Sequence, residues 1–186
     1  MNTKIKRVAK VLLMCIIAMS FSSCNGQKSG FSQKERVDIL TKVKTNDEFM
    51  NCFLKCIKEN NLYEPLIQYE DELVAKKELD GYDEKSLNNF FEKLIIDDNK
   101  NRCVSKEIFL KLTPFFSKFD YSEYEKSLRN GNTRRTKEYD LIEYLKNTGS
   151  PFPEWGAFEY ALKDNELTTD KKYFYLLMAM PYKQCD

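Results

Sequence analysis

The stretch Thr136-Lys-Glu-Tyr-Asp-Leu-Ile-Glu-Tyr-Leu-Lys-Asn-Thr-Gly149 contains the complete pattern of one amphipathic helix. Thr136 is a residue type that caps helix N-termini, and Gly149 is the residue type that most often follows a helix C-terminus. Between them, Tyr139, Ile142 and Leu145 recur at intervals of three residues, which places them on one helical face. The spacing therefore predicts a helix that begins after Thr136, ends before Gly149 and buries one apolar side.

Similar signals recur along the chain, whereas residue types that favour strands are scarce. Ser32 and Glu35 form a capping-box pattern, Pro65 suits the first turn of a helix, and Pro114 is expected to kink or end one. Glycine and valine are scarce, and leucine, isoleucine, phenylalanine, lysine and glutamate dominate. The run 173–180 is apolar all round and suits a buried helix or a strand; we favour a helix because no partner strand is evident.

These patterns predict the fold class. The chain has 186 residues, of which 42% are hydrophobic, and this suffices for one core. We expect an all-α fold, with about eight or nine short helices in a single compact domain.

The N-terminus has the three parts of an export signal. A continuous apolar run covers residues 11–19, and small residues precede Cys24. The run is shorter than the about 20 residues that a membrane-spanning helix needs. Positive charge precedes the run at Lys4, Lys6, Arg7 and Lys10.

The segment Phe21-Ser22-Ser23-Cys24 resembles the lipobox of a bacterial lipoprotein, and its Ser-Ser-Cys ending resembles lipoproteins of the Bacteroidota. The resemblance covers residues 1–24 only, and Phe21 stands where leucine is commoner. It implies a signal peptide at 1–23, a lipidated Cys24 with a flexible tether at 24–30, and a helical domain at 31–186. The alternative is an ordinary signal peptide with an incidental cysteine, or a short N-terminal anchor.

The resemblance also implies a location and a charge. Removing residues 1–23 takes away four of the 30 Lys and Arg and none of the 29 acids, which leaves a net charge of −3. Several acyl chains on one cysteine form a durable membrane anchor. Lipoproteins exported to the surface in that phylum often carry acids directly after the cysteine, and none follows Cys24. We therefore expect the outer membrane, facing the periplasm.

Four cysteines follow the lipobox: Cys52, Cys56, Cys103 and Cys185. An even count in an exported chain favours two disulfides. Cys52 and Cys56 lie four residues apart on one face of a predicted helix, so we expect each to pair with a distant cysteine. One disulfide or free thiols is the second alternative, and a Cys₄ metal site, which lacks a CxxC pair, is the third.

The residues that most enzymes rely on are missing. The chain has no histidine and a formal net charge of +1, which excludes His-dependent nucleophiles, His-ligated zinc and a broad basic face for nucleic acid. Ser-x-x-Lys, GxSxG, GxGxxG, P-loop and HExxH patterns are absent too. Carboxylate pairs such as Glu70-Asp71-Glu72 are interpreted as solvated helix faces. We therefore expect no catalytic residue, no cofactor and no metal.

Residues 97–108 match an EF-hand loop in part. Asp97, Asn99 and Asn101 occupy the positions of its first three oxygen ligands. Arg102 replaces the turn glycine, however, and Ile108 replaces the bidentate glutamate. Because that glutamate supplies much of the calcium affinity, we interpret the segment as a polar turn between helices.

Two segments are candidate partner contacts. The turn 149–156 holds paired prolines with Phe152 and Trp155, whose ring types are enriched at protein interfaces. The loop 130–136 carries Arg134 and Arg135, which can bind carboxylates or phosphates. In the alternative interpretation the rings cover a gap between helices and the loop is merely solvated.

Size, location and missing motifs favour a membrane-anchored envelope binding protein without catalysis. Its specific form would be an immunity protein that binds and blocks an antibacterial toxin, with an acidic surface opposing a basic toxin face. The alternative is a structural or assembly lipoprotein of the cell envelope, and a third class is an enzyme that uses Asp, Glu or Tyr. We expect a protein partner and the membrane, but no nucleic acid.

Overall fold

The first helix begins at Ser32, as its capping-box pattern predicts. The Ser32 hydroxyl accepts a hydrogen bond from the N–H of Glu35, and the N–H of Ser32 donates to the Glu35 carboxylate over 2.8 Å. Each group satisfies an N–H that the first helical turn leaves without a partner. The computed structural model describes residues 30–96, 102–150, 155–163, 167–181 and 183–185.

The described residues are mainly helical, and their only strands are two residues long. The strands are β1 (Val104–Ser105) and β2 (Gln184–Cys185). The helices are α1 (Gln33–Lys42), α2 (Glu48–Glu59), α3 (Tyr63–Ala75), α4 (Glu84–Ile96), α5 (Lys106–Leu112), α6 (Phe115–Lys118), α7 (Ser122–Arg129), α8 (Lys137–Thr148), α9 (Trp155–Leu162) and α10 (Lys172–Met178).

The local signals of the sequence set the ends of these helices. The Thr136 hydroxyl accepts a hydrogen bond from the N–H of Tyr139 at the start of α8. Gly149 has a φ of 67°, the left-handed conformation in which glycine commonly ends a helix. Helix α5 ends at Leu112 and α6 begins after Pro114, because proline cannot donate the backbone hydrogen bond that would continue α5.

Aromatic rings fill the centre of the core. The Phe49 ring is fully buried and packs edge-to-face against rings from other elements, with centroid distances of 5.3 Å to Tyr124 and 5.8 Å to Phe174. Every residue of α10 is buried, because other elements surround this helix on all sides. The all-α, single-domain class is confirmed, and so is the helix predicted within 173–180.

The two short strands join distant parts of the chain. They pair in parallel, with Val104 opposite Gln184 and Ser105 opposite Cys185. This pairing brings Cys103 and Cys185, 82 residues apart, into one disulfide. The run that precedes β2 was correctly expected to be helical, whereas the partner of β2 was not foreseen from sequence.

The expectation of two disulfides is wrong, because Cys52 and Cys56 are free thiols. The two remaining cysteines pair with each other, so neither residue of α2 has a distant partner. Neighbours four apart on a helix have Cβ atoms about 5–6 Å apart, whereas a disulfide needs about 3.5–4.5 Å. Burial raises the pKa of both thiols, and that of Cys56 reaches about 11.

The domain begins in a fixed position. Gly30 forms a parallel bridge with Tyr82, and its φ is 112°. A Cβ atom at Gly30 would lie 2.5 Å from backbone atoms of Tyr82 and Asp83, so only glycine fits there. Among the described residues, none of the helices is long and apolar enough to span a membrane.

Candidate partner-binding groove

Helix α8 separates two grooves on the protein surface. The larger has a volume of about 550 Å³ and lies between α8 and the segment α6–α7. Residues 116–125 form one side of this groove, and one face of α8 forms the other. We call it the aromatic groove and define it by Phe116, Phe119, Asp120, Tyr121, Leu145 and Lys146.

The shortness of α6 creates the aromatic groove. After Pro114 ends the preceding helix, α6 makes a single turn, and Phe119 then adopts an extended conformation. The Phe115 and Phe119 rings stack with their centroids 4.9 Å apart, which fixes this turn against the core. The chain therefore turns away before α6 can pack along α8, and a groove stays open between them.

Tyr121 is held in place at the groove wall. Its hydroxyl donates a 2.8 Å hydrogen bond to a carboxylate oxygen of Glu143. Burial raises the pKa of Tyr121, and donation to a carboxylate raises it further. The ammonium of Lys146 lies 5.3 Å from the Tyr121 ring centroid and 3.6 Å from Glu143, so the ring, acid and cation form one unit.

Asp120 leaves negative charge at the groove mouth. Its carboxylate accepts a 2.9 Å hydrogen bond from the N–H of Ser122, which lowers the pKa of Asp120 and keeps it ionised. In the part of the chain that the structure describes, this carboxylate has no ion-pair partner. A cationic group of a bound partner would meet this carboxylate beside an aromatic surface, in a field that the nearby Lys55 and Lys126 partly offset.

The smaller groove lies on the other side of α8, against α9, and has a volume of about 410 Å³. Ala157 and Ala161 face it from successive turns of α9, and their small side chains leave the space open. Tyr160 stands at its edge with 62% of its surface exposed, and the ammonium of Lys137 lies 5.5 Å from its ring centroid.

A buried charge cluster lies inside the core. The Glu70 carboxylate is fully buried and pairs with Lys172 and, over 3.0 Å, with Arg36. The Tyr173 hydroxyl also donates to Glu70 over 3.0 Å, and Arg36 reaches Asp71 over 2.9 Å. The interpretation of this acidic segment as a solvated helix face is wrong for Glu70, because two buried cations require a buried anion.

The structure separates the partner contacts that the sequence suggests. Arg134 is exposed, and Arg135 pairs with Asp140 near the N-terminus of α8. Trp155 begins α9, whose C-terminal end lies next to the N-terminus of α8, because Lys137 donates to the carbonyl of Lys163. The arginines and Trp155 therefore lie at opposite ends of an antiparallel helix pair, and Phe152 lies outside the described residues.

The other predicted site residues lie largely beyond what the structure describes. Asp97, Asn99 and Asn101 are outside the described residues, and so is Cys24. Arg102, at the end of the suspected calcium loop, instead pairs with Glu78 and donates to the carbonyl of Ala179 over 3.1 Å. Within the described ranges, no group of three or more His, Cys, Asp or Glu side chains is placed to hold a metal ion.

The aromatic groove was missed because its rings look like core residues in the sequence. The only local signal is Asp120, which interrupts the aromatic segment between Phe119 and Tyr121. Because aspartate is mostly exposed in folded proteins, an acid between two rings indicates that the segment reaches the surface there. The chain matches no protein-family model, no curated protein and no solved structure.

Proposed function

We propose that this protein is a membrane-anchored envelope binding protein without catalysis, and specifically an immunity protein that blocks an antibacterial toxin. The aromatic groove is the observation that carries the proposal. It would receive an apolar side chain of the toxin with a lysine or arginine next to it. The lipobox resemblance supplies the membrane anchor and the envelope location.

The size and composition of the aromatic groove support this role. A volume of about 550 Å³ is enough for one or two large side chains. Tyrosine and phenylalanine are enriched where proteins bind each other, and a pocket of rings is the usual receptor for an anchoring side chain. Phe115 and Phe119 stack on each other, and the Tyr121 hydroxyl is hydrogen-bonded to Glu143. These rings would therefore lose little conformational freedom on binding.

Charge supports a basic partner. Asp120 lines the groove, and Glu123, on the following helix, has a side chain that is 75% exposed and pairs with Lys55 over 3.7 Å. A mature chain with net charge −3 would attract a basic toxin, and complementary charges mainly accelerate association. The buried carboxylates Glu70 and Glu138 pair with the buried Lys172 and the partly exposed Lys171, which favours binding over catalysis.

The test uses a photo-reactive amino acid in the full chain. It replaces Ser150 at the aromatic groove in one variant and Asn88, exposed on α4, in the control. After irradiation in mixed cultures with competing bacteria, mass spectrometry identifies the crosslinked proteins. We expect a secreted basic toxin at Ser150 and not at Asn88.

A purified toxin then allows a direct measurement. Ser117→Arg, which fills the aromatic groove, should weaken binding at least tenfold by calorimetry and remove protection in a growth assay. Asn88→Arg should change neither. Crosslinks only to resident envelope proteins would favour the structural or assembly lipoprotein, and equal crosslinking at both positions would contradict the groove as the binding site.

A further inference from the structure

A lysine side chain touches the disulfide between Cys103 and Cys185. The Nζ atom of Lys76 lies 3.1 Å from the Sγ atom of Cys185 and 3.9 Å from that of Cys103. Both cysteines are partly accessible, and the Lys76 side chain is 33% exposed. A cation beside a sulfur atom favours its thiolate over its thiol, so the two sulfur atoms are not chemically equivalent.

The position of Lys76 is fixed by two contacts besides the sulfur. Its ammonium donates to the backbone carbonyl of Cys103 over 2.7 Å and pairs with Glu72 over 2.6 Å. Glu72 in turn accepts a 3.0 Å hydrogen bond from the N–H of Ser105. The Glu72 carboxylate offsets part of the positive charge, and the ammonium lies nearer to the Sγ atom of Cys185 than to that of Cys103.

The fold lets this bond open without unfolding the domain. Lys76 and Glu72 hold the backbone of Cys103 and Ser105 to α3, independently of the disulfide. On the other side, β2 is only two residues long, and the N–H of Val104 donates to the carbonyl of Lys183 over 3.0 Å. Opening the bond would therefore leave β1 in place, and the hydrogen bond between Val104 and Lys183 would keep Cys185 beside Lys76.

We infer that Cys103–Cys185 is a thiol–disulfide exchange site whose substrate is a dithiol, with Cys103 attacked and Cys185 leaving as a thiolate beside Lys76. This activity is separate from the aromatic groove and does not depend on the proposed function. The better-stabilised thiolate is the better leaving group, and attack therefore falls on the opposite sulfur.

The exchange is a balanced two-electron reaction. A thiolate of the dithiol forms a bond to Sγ of Cys103, and the electron pair of the broken disulfide goes to Sγ of Cys185. The second thiol of the substrate, as a thiolate, then displaces Cys103, which takes up one proton. The dithiol is oxidised to a disulfide, and its other proton goes to solvent while Cys185 stays a thiolate.

The test uses the full chain with Cys15, Cys24, Cys52 and Cys56 replaced by serine or alanine. Glutathione is added as a monothiol probe, the reaction is quenched with acid, and peptide mapping locates the mixed disulfide. Dithiothreitol then gives the rate of complete reduction. The variants are Lys76→Met, Lys76→Arg and the control Lys111→Met, which removes a lysine from another i,i+4 pair with glutamate.

We expect glutathione mainly on Cys103, and reduction about tenfold slower in Lys76→Met than in the parent chain. The preference for Cys103 should fall in Lys76→Met and persist in Lys76→Arg and Lys111→Met. A purely structural role of Lys76 would change thermal stability without changing which sulfur carries glutathione. If Lys76→Met does not fold, the position of glutathione on Cys103 or Cys185 of the parent chain tests the inference by itself.

Two results would overturn the inference. One is glutathione found equally on both cysteines, or mainly on Cys185, in the parent chain. The other is a loss of helical circular dichroism on reduction of the parent chain, since the site is proposed to open without unfolding.

Discussion

Replacing Glu70 by glutamine should destabilise the domain strongly. The Glu70 side chain is fully buried and is the carboxylate shared by Arg36 and Lys172, whose side chains are 5% and 1% exposed. Glutamine keeps the shape and can still accept a hydrogen bond from Tyr173, but it removes the negative charge. Two buried cations then remain, and Asp71, with a half-exposed side chain, pairs with only one of them.

The expected loss is large because an uncompensated buried charge costs about 3–5 kcal/mol. For a domain of this length, a loss of 4 kcal/mol lowers the melting temperature by roughly 12 °C. Urea titration followed by circular dichroism measures the free energy of unfolding. The matched control is Glu107→Gln on α5, which breaks an exposed i,i+4 pair with Lys111 and should leave the free energy of unfolding almost unchanged.

A double variant separates charge from packing. If the cost of Glu70→Gln comes from an unpaired cation, adding Lys172→Met should restore at least about 1 kcal/mol relative to the sum of the single effects. Strict additivity of the two substitutions would refute this reasoning. So would a cost for Glu70→Gln as small as that of Glu107→Gln.

Three further outcomes are expected. In thermal unfolding, Gly30→Ala should cost more than about 3 kcal/mol of stability, because backbone strain and a backbone clash add. Gly149→Ala, which has open space around it, should cost about 1 kcal/mol. Equal costs for the two variants would contradict the clash at Gly30. Burial raises the pKa of Tyr69 from 10.0 to about 12, so about 2–3 kcal/mol of stability that is present below pH 10 should be lost as the pH rises to 12. Urea titrations at pH 9 and 11 should show a smaller loss in Tyr69→Phe than in the exposed control Tyr160→Phe. Cys24→Ala should leave the chain unprocessed and without lipid. If the variant and the parent chain, recovered from the membrane fraction, had the same mass apart from the substitution, the protein would not be a lipoprotein.

The candidate site was not foreseen from the sequence. Arg134 and Arg135 lie on an exposed loop, but they do not line the aromatic groove. Phe119 and Tyr121 belong to a segment that would suit the core equally well. Whether such rings face a groove depends on where α6 ends relative to α8, and residues 119–136 separate these two helices in the sequence.

The sequence by itself determined the helical class and the helix ends at Ser32, Thr136 and Gly149. Capping and termination involve groups within about four residues of each other, so their pattern is visible along the chain. Only the tertiary structure decided that Cys103 pairs with Cys185 and that Glu70 is buried. These outcomes depend on contacts between residues 34 to 103 positions apart, where the geometry of packed helices, rather than local spacing, sets which atoms meet.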